Sequence, residues 1–271
     1  MTTKNTIVAS ISALAASVML YYIWLENKAI GLTEKNNRSV SFSTSYCLSG
    51  LSGMSISLPA IDQAFYSPSD LTAIAGRVTA IRASYGMIID NIAAITRVSS
   101  SIITSFIFIE SNGQPSLTNG YATGLMQIGS NSATDIVYME YKKGRLGTGE
   151  TAILQKYLGA RLNGIMAMKS PGLAQYISAS DLMIPELNIL IGAMFLGQLM
   201  DESIQSDGQL RMDKVVVRYN SGYYAYSRGK DLPASISDTI AKVNSITGQY
   251  IVKLIGKNGV LEMIEAQHCG S

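Results

Sequence analysis

Charge-free and apolar-periodic stretches divide this chain before any single residue draws the eye. Thr6 to Leu25 is twenty residues without a charge. At about 1.5 Å per helical residue it spans a hydrocarbon core of ~30 Å. Lys4 precedes the run, Glu26 and Lys28 follow it, and Tyr21, Tyr22 and Trp24 sit at its C-terminal end. Aromatic side chains favour that interfacial level. The pattern predicts a transmembrane helix. A cleaved signal peptide is the rival reading, but its apolar region is shorter and ends in small residues. The length and bulky end favour an uncleaved anchor. Lys4 on one side competes with Lys28, Lys35 and Arg38 on the other, so charge alone does not orient it.

Residues 36–58 are Ser-rich, and the alternation in 38–46 fits either a short strand or an extended tether. Ser67-Pro68-Ser69-Asp70 is a helix start with Ser69 or Asp70 as cap. Leu71, Ile74, Val78 and Ile81, then Met87, Ile88, Ile92 and Ile95, recur at helical spacing. We read two helices here, broken near Ser84-Tyr85-Gly86. Ser99-Ser100-Ser101 opens the next helix, with Ile102 to Ile109 as its buried body. Residues 131–148 are loosely helical, and Glu150 to Leu158 forms a further helix. Ser170-Pro171-Gly172 is a turn. Pro185 suits a first helical turn, and helices are expected over Asp238–Asn244 and Gln249–Ile255. Little else reads as strand, so the fold class is mainly α.

Composition narrows the partners. A net charge of +2 over 271 residues, without a Lys/Arg stripe, argues against nucleic acid. Hydrophobic content of 47% against 15% charged residues is apolar, and the N-terminal run supplies part of it. The thirteen methionines suit adaptable packing. Cys47 and Cys269 form no C-x-x-C pair, which leaves a zinc or redox site unsupported. Whether the two join in a disulfide is open. His268 is the single histidine, three residues from the end, which argues against a Ser-His-Asp triad or a multi-histidine metal site.

One segment carries candidate chemistry. Residues 107–128 read IFIESNGQPSLTNGYATGLMQI. The apolar run ends in Glu110, which then faces a polar loop. Desolvation disfavours a carboxylate's charged form, so this is the setting of a general acid. No second acid lies in the motif loop. Asp135, Glu140, Glu150, Asp181 and Glu186 lie in or beside residues 140–180, where a solvated surface role is expected for each. Leu125, Ile128, Leu196 and Ile109 are assigned to the core.

Four segments in order carry a resemblance. Glu110-Ser111-x-Gly113, Gly124-Leu125-Met126-Gln127-Ile128, the helix at Leu187–Leu196 and Tyr219-Asn220-Ser221-Gly222 resemble the lytic transglycosylases with a goose-lysozyme-like catalytic domain. Gly248–Lys253 resembles that family's last helix, and Tyr85 to Ile103 its pair of helices leading to the glutamate. The likeness covers roughly residues 83–262. It implies a lysozyme-like domain over 83–265 with an insertion around 140–180, after an anchor (1–28) and a tether with a leading helix (29–82). It implies cleavage of the MurNAc–GlcNAc bond of peptidoglycan, with a 1,6-anhydro-MurNAc end and no cofactor or metal. Glu110 would be the catalytic residue. Thr118, Met126, Gln127, Tyr219, Asn220 and Tyr250 would bind substrate. Met126 and Gln127 would line the groove, and the Tyr219 hydroxyl would lie near Glu110. Asn220 would orient the sugar or the loop, and Tyr250 would pack over the site. The family often has Ala-Tyr-Asn-Ala-Gly where this chain has Arg218-Tyr219-Asn220-Ser221-Gly222, a change that bears on subsite preference.

The implied partners are glycan strands and, through Thr6–Leu25, a membrane, with the catalytic domain facing the cell wall. That places it on the periplasmic side of a bacterial inner membrane or in a phage virion membrane. A goose-type lysozyme using water is the nearest alternative. A structural part of a phage particle or secretion machine with a vestigial enzyme fold is the other.

Overall fold

The computed structural model describes residues 55–57, 64–206, 208–223 and 246–269. The expected anchor at Thr6–Leu25, the 36–46 segment, Cys47 and the expected helix at Asp238–Asn244 lie outside them. Nine helices lie within them: α1 (Pro68–Thr96), α2 (Ser100–Ser111), α3 (Ser130–Lys142), α4 (Thr148–Leu158), α5 (Ala160–Met166), α6 (Pro185–Asp201), α7 (Met212–Ser221), α8 (Ile246–Ile255) and α9 (Val260–Cys269). The described chain is mainly helical, as the periodicity predicts. Among the described residues no helix is long and apolar enough to cross a membrane.

Two helices are apolar nearly all round and form the centre. In α2, residues 101–108 are all buried, and in α6 so are 187–196. A helix without a polar face has to be covered on every side. Helix α1 packs against both. Helices α8 and α9 cover α2, while α3, α4 and α7 cover α6. Helix α2 begins where Ser99 Oγ accepts the Ile102 N–H at 3.2 Å. It ends where Asn112 turns left-handed at φ 52°, its N–H donating to the Phe108 carbonyl. Glu110 therefore sits in the last turn of one of the two central helices.

Helix α1 departs from the expected pair. It runs unbroken through Ser84-Tyr85-Gly86 and through residue 83, where the family likeness begins. Gly86 faces inward and is crossed by a side chain. A Cβ there would lie 3.6 Å from Arg82 Cζ. The guanidinium passes over the glycine to bind Asp90 through two contacts of 2.9 Å. Ser100 Oγ also donates to Asp90 at 2.8 Å, tying α1 to the start of α2. The glycine is thus a groove for an ion pair, not a helix end. The cap also differs from expectation. It is Ser67, whose N–H and Oγ both donate to Asp70 Oδ2, at 2.9 and 2.6 Å. Pro68 then opens the helix at its first position.

A short parallel ribbon was not anticipated. Strand β1 (Ser55–Ser57) pairs with β2 (Gln209–Arg211) in the register Ser55–Gln209, Ile56–Leu210, Ser57–Arg211. Three residues are too few to show alternation.

The acids around residues 140–180 correct a second expectation, because three of the five are buried. Asp135 accepts the Gly172 N–H at 2.8 Å, and the neighbouring Thr134 Oγ1 accepts from Tyr176 and Ile177. Glu140 binds Arg145 at 2.6 Å, and Glu150 is buried beside Gly147. Asp181 is held by both terminal nitrogens of Arg161, at 2.6 and 2.9 Å. Arg161 draws its carboxyl down to about 2. Glu186 takes Lys156 and Tyr157, each at 2.6 Å. Four of these acids bind partners within residues 145–172. The reason for the difference is that charged groups leave water readily only when paired, and here all but Glu150 find partners.

Candidate active site

The polar loop after α2 is held by the core around it. Thr123 and Ile128 exchange backbone hydrogen bonds of 3.0 and 3.2 Å, and the Gly124 N–H donates to the Leu117 carbonyl at 2.8 Å. Asn188, fully buried on α6, latches this turn from beneath. Its Nδ2 donates to the Thr123 carbonyl at 2.8 Å and its Oδ1 accepts the Met126 N–H at 2.7 Å. Gly124 lies at φ 87°, and a Cβ there would come within 2.2 Å of the Leu182 carbonyl oxygen and 2.3 Å of Asn188 Nδ2. Both the conformation and the space demand glycine. Gln127 is also left-handed, at φ 47°, and its Nε2 donates to the Leu117 and Gly124 carbonyls.

Around this turn lies a cleft of about 610 Å³. Glu110 forms one part of its wall. Asn119 to Ala122, Gln127 to Ser132 and Tyr219 to Tyr223 form the rest, with Phe195 and Ile136 behind. Among the described lining residues Glu110 is the single carboxylate. With no histidine or thiol beside it, that set offers too few donors for a metal.

Glu110 is half-buried at the end of its apolar helix. Burial pushes its carboxyl up to about 7, and a hydrogen bond from Tyr250 offsets part of that rise. Tyr250 reaches from α8 and donates its hydroxyl to Glu110 Oε1 at 2.6 Å. Burial, and then the charge on Glu110, raise the Tyr250 and Tyr219 hydroxyls well above their ordinary value. Both tyrosines therefore stay protonated donors at neutral pH. A carboxyl poised near 7, with one oxygen tied, on the wall of a cleft, can deliver a proton and take one back.

The anticipated residues separate into two groups. Glu110, Gln127, Tyr219 and Asn220 line the cleft, and Tyr250 is bonded to the acid. Two details are corrected. Met126 is wholly buried and contributes only its backbone to the turn; a Cβ on Gly192 would meet its sulfur at 2.4 Å. An apolar thioether follows the core once the turn's polar groups are satisfied elsewhere. Thr118 does not line the cleft, and its Oγ1 accepts the Gly120 N–H at 3.3 Å inside the loop. The Tyr219 hydroxyl, close enough to Glu110 to feel its charge, donates to the Met126 carbonyl at 2.8 Å. Its ring, edge-on to Phe106 at 4.6 Å and near Phe195 at 5.2 Å, forms the cleft floor.

Several residues at the site were not anticipated. Asn188 had a legible signal, as a polar residue inside the apolar run 187–196. Tyr223 lies one position beyond its motif and packs on Phe195 at 5.7 Å. Tyr121 stands 91% exposed on the rim, its N–H held by Asn119 Oδ1 at 2.9 Å.

No protein-family model matches this chain, and no curated protein shows significant similarity to it.

Proposed function

We propose that this protein is a peptidoglycan lytic transglycosylase with a lysozyme-like catalytic domain. It cleaves the MurNAc–GlcNAc bond and leaves a 1,6-anhydro-MurNAc end, opening the wall locally. The observation that carries the reading is Glu110, a desolvated carboxyl near 7, bonded to Tyr250 in a cleft whose described lining holds no second acid. The family likeness at Glu110, Gly124–Ile128 and Tyr219–Gly222 agrees with it.

In this reading Glu110 donates its proton to the glycosidic oxygen as the anomeric carbon–oxygen bond breaks. The muramoyl 6-hydroxyl attacks the same anomeric carbon, and its proton passes to the Glu110 carboxylate. The enzyme returns to its starting state and no water is consumed. An internal nucleophile needs no capture from solution. Ordinary glycosidases use a second carboxylate. The two acids that would best serve a lysozyme, Asp135 and Glu150, do not line this cleft; Asp135 is spent on Gly172 and Glu150 lines a different cavity. That favours the transglycosylase over the hydrolase. Thr6–Leu25 anchors the protein, and the catalytic domain faces the wall.

The test is turnover of purified murein by the wild type and by Glu110→Gln. The variant keeps the side chain's shape and removes its transferable proton. Loss of cleavage by orders of magnitude in a folded variant supports the reading; near-wild-type cleavage removes it.

A further inference from the structure

The rim of the Glu110 cleft carries a side chain that the reaction leaves unused. Of the exposed large hydrophobic residues described, Tyr121 is the most exposed, at 91%, and it alone lines the cleft. A single exposed aromatic on open surface needs no explanation. This one stands at the edge of a cavity. Among the described residues no hydrogen bond, ion pair or ring contact engages its side chain.

The loop holds the ring out by its backbone. Asn119 Oδ1 accepts the N–H groups of Tyr121 and Ala122, each at 2.9 Å, and the Asn119 N–H donates to the Ala122 carbonyl at 3.2 Å. Asparagine side chains fix turns in this way. Gly120 sits between them, left-handed at φ 88°. The start of α3 closes the other side. A Cβ on Gly129 would lie 3.1 Å from the Tyr121 carbonyl oxygen, so the chain entering that helix passes hard against the loop tip. A tyrosine on a fixed backbone has two torsions left to settle, and it meets a ligand at low entropic cost.

The rest of the lining narrows the ligand. Asn119, Asn131 and Asn220 supply amides, and Ser130 and Ser132 supply hydroxyls. Among the described lining residues Glu110 is the single acid, and no lysine, arginine or histidine joins it. A phosphate or an acidic peptide calls for cations that this wall does not carry. A wholly apolar ligand would leave the amides unpaired. A pyranose ring with equatorial substituents has both characters, hydroxyls around its edge and an apolar face of C–H bonds. The broad, electron-rich face of a tyrosine complements that apolar face. Taking the cleft as the glycan site assigned above, we propose that Tyr121 is a stacking platform for an N-acetylhexosamine ring of the strand. It sets the affinity for the glycan and takes no part in breaking the bond.

The test separates binding from turnover. The full chain in detergent micelles is titrated calorimetrically with the N-acetylglucosamine tetrasaccharide, and its kinetics on murein are measured alongside. Tyr121→Ala should weaken the tetrasaccharide about tenfold, the worth of one aromatic stacking contact. The same variant should raise KM for murein by a similar factor with a smaller change in kcat, because the contact is made equally in the bound substrate and in the transition state. Tyr121→Phe and Tyr121→Trp keep a ring and should bind like the wild type. Equal melting temperatures across the series confirm that each variant is folded. Tyr121→Ala binding as tightly as the wild type would overturn the platform while leaving the reaction at Glu110 standing. Tyr121→Phe weakening binding as much as Tyr121→Ala would assign the contact to the hydroxyl and overturn stacking. Ring-dependent binding without murein cleavage would keep the platform and remove the reaction. No saturable binding of the tetrasaccharide by the wild type would overturn the platform.

Discussion

Tyr250 places its hydroxyl 2.6 Å from Glu110 Oε1, although 140 residues separate the two along the chain. The bond favours the ionised carboxylate, while burial of the same carboxyl disfavours it, and burial is the larger effect. Tyr250→Phe removes only the favouring part. A charge-assisted hydrogen bond is worth about 1.5–3 kcal/mol, so the Glu110 titration should move to higher pH by about one unit or more. Carbon-13 NMR of the labelled glutamate carboxyl measures it. A midpoint that falls or stays would show that the tyrosine does not set this proton's affinity.

The pH dependence of stability has a definite sign. Glu110 rises from 4.5 in an ordinary environment to about 7 in the folded protein. The folded state holds this proton more tightly, so its contribution is complete below 4.5 and is lost as pH climbs through 7. The loss is at most about 3 kcal/mol. Glu110→Gln should therefore melt close to the wild type at pH 4.5 and above it at pH 8.5. A variant less stable than the wild type at pH 8.5 would contradict the assigned burial.

Asn188 should behave as structural support for the site. Asn188→Ala strands the buried Met126 N–H and removes one donor from the Thr123 carbonyl. Each orphaned group costs about 1–3 kcal/mol, so urea denaturation should show a loss of roughly 2–3 kcal/mol. A loss below about 0.5 kcal/mol would mean the turn holds itself.

Arg161 and Asp181 should govern the acid limb. The carboxyl is held near 2, chiefly by Arg161, against an ordinary 3.8. Its stabilisation is present above 3.8 and disappears as pH falls through 2. Arg161 is partly exposed, so solvent screening limits the pair to about 1 kcal/mol. Arg161→Met should flatten the fall in melting temperature between pH 4 and pH 2. An unchanged slope would assign the acid limb to other groups.

The centre of the fold was legible because it is written in local apolar runs. Residues 102–109 and 187–196 have no polar face, so they had to be covered, and the acid at the end of the first run had to be desolvated. What escaped depends on partners distant in sequence. Gly86 reads as a helix breaker until Arg82 is seen lying across it toward Asp90. Asp135, Asp181 and Glu186 read as solvated until their partners at 172, 161, 156 and 157 fold onto them. Met126 belongs to a motif that suggests contact with sugar, yet its side chain follows the core. Tyr250 was reachable only through the motif around it, since spacing alone gives no reason for it to meet Glu110.

The product's end group tests the central claim most directly. Murein digested by the full chain, separated and weighed by mass spectrometry, yields muropeptides that differ by one water between the two mechanisms. 1,6-Anhydro-muramic ends are expected to predominate and to vanish with Glu110→Gln. Predominantly hydrated, reducing-end products from the wild type would contradict it and make the protein a hydrolase.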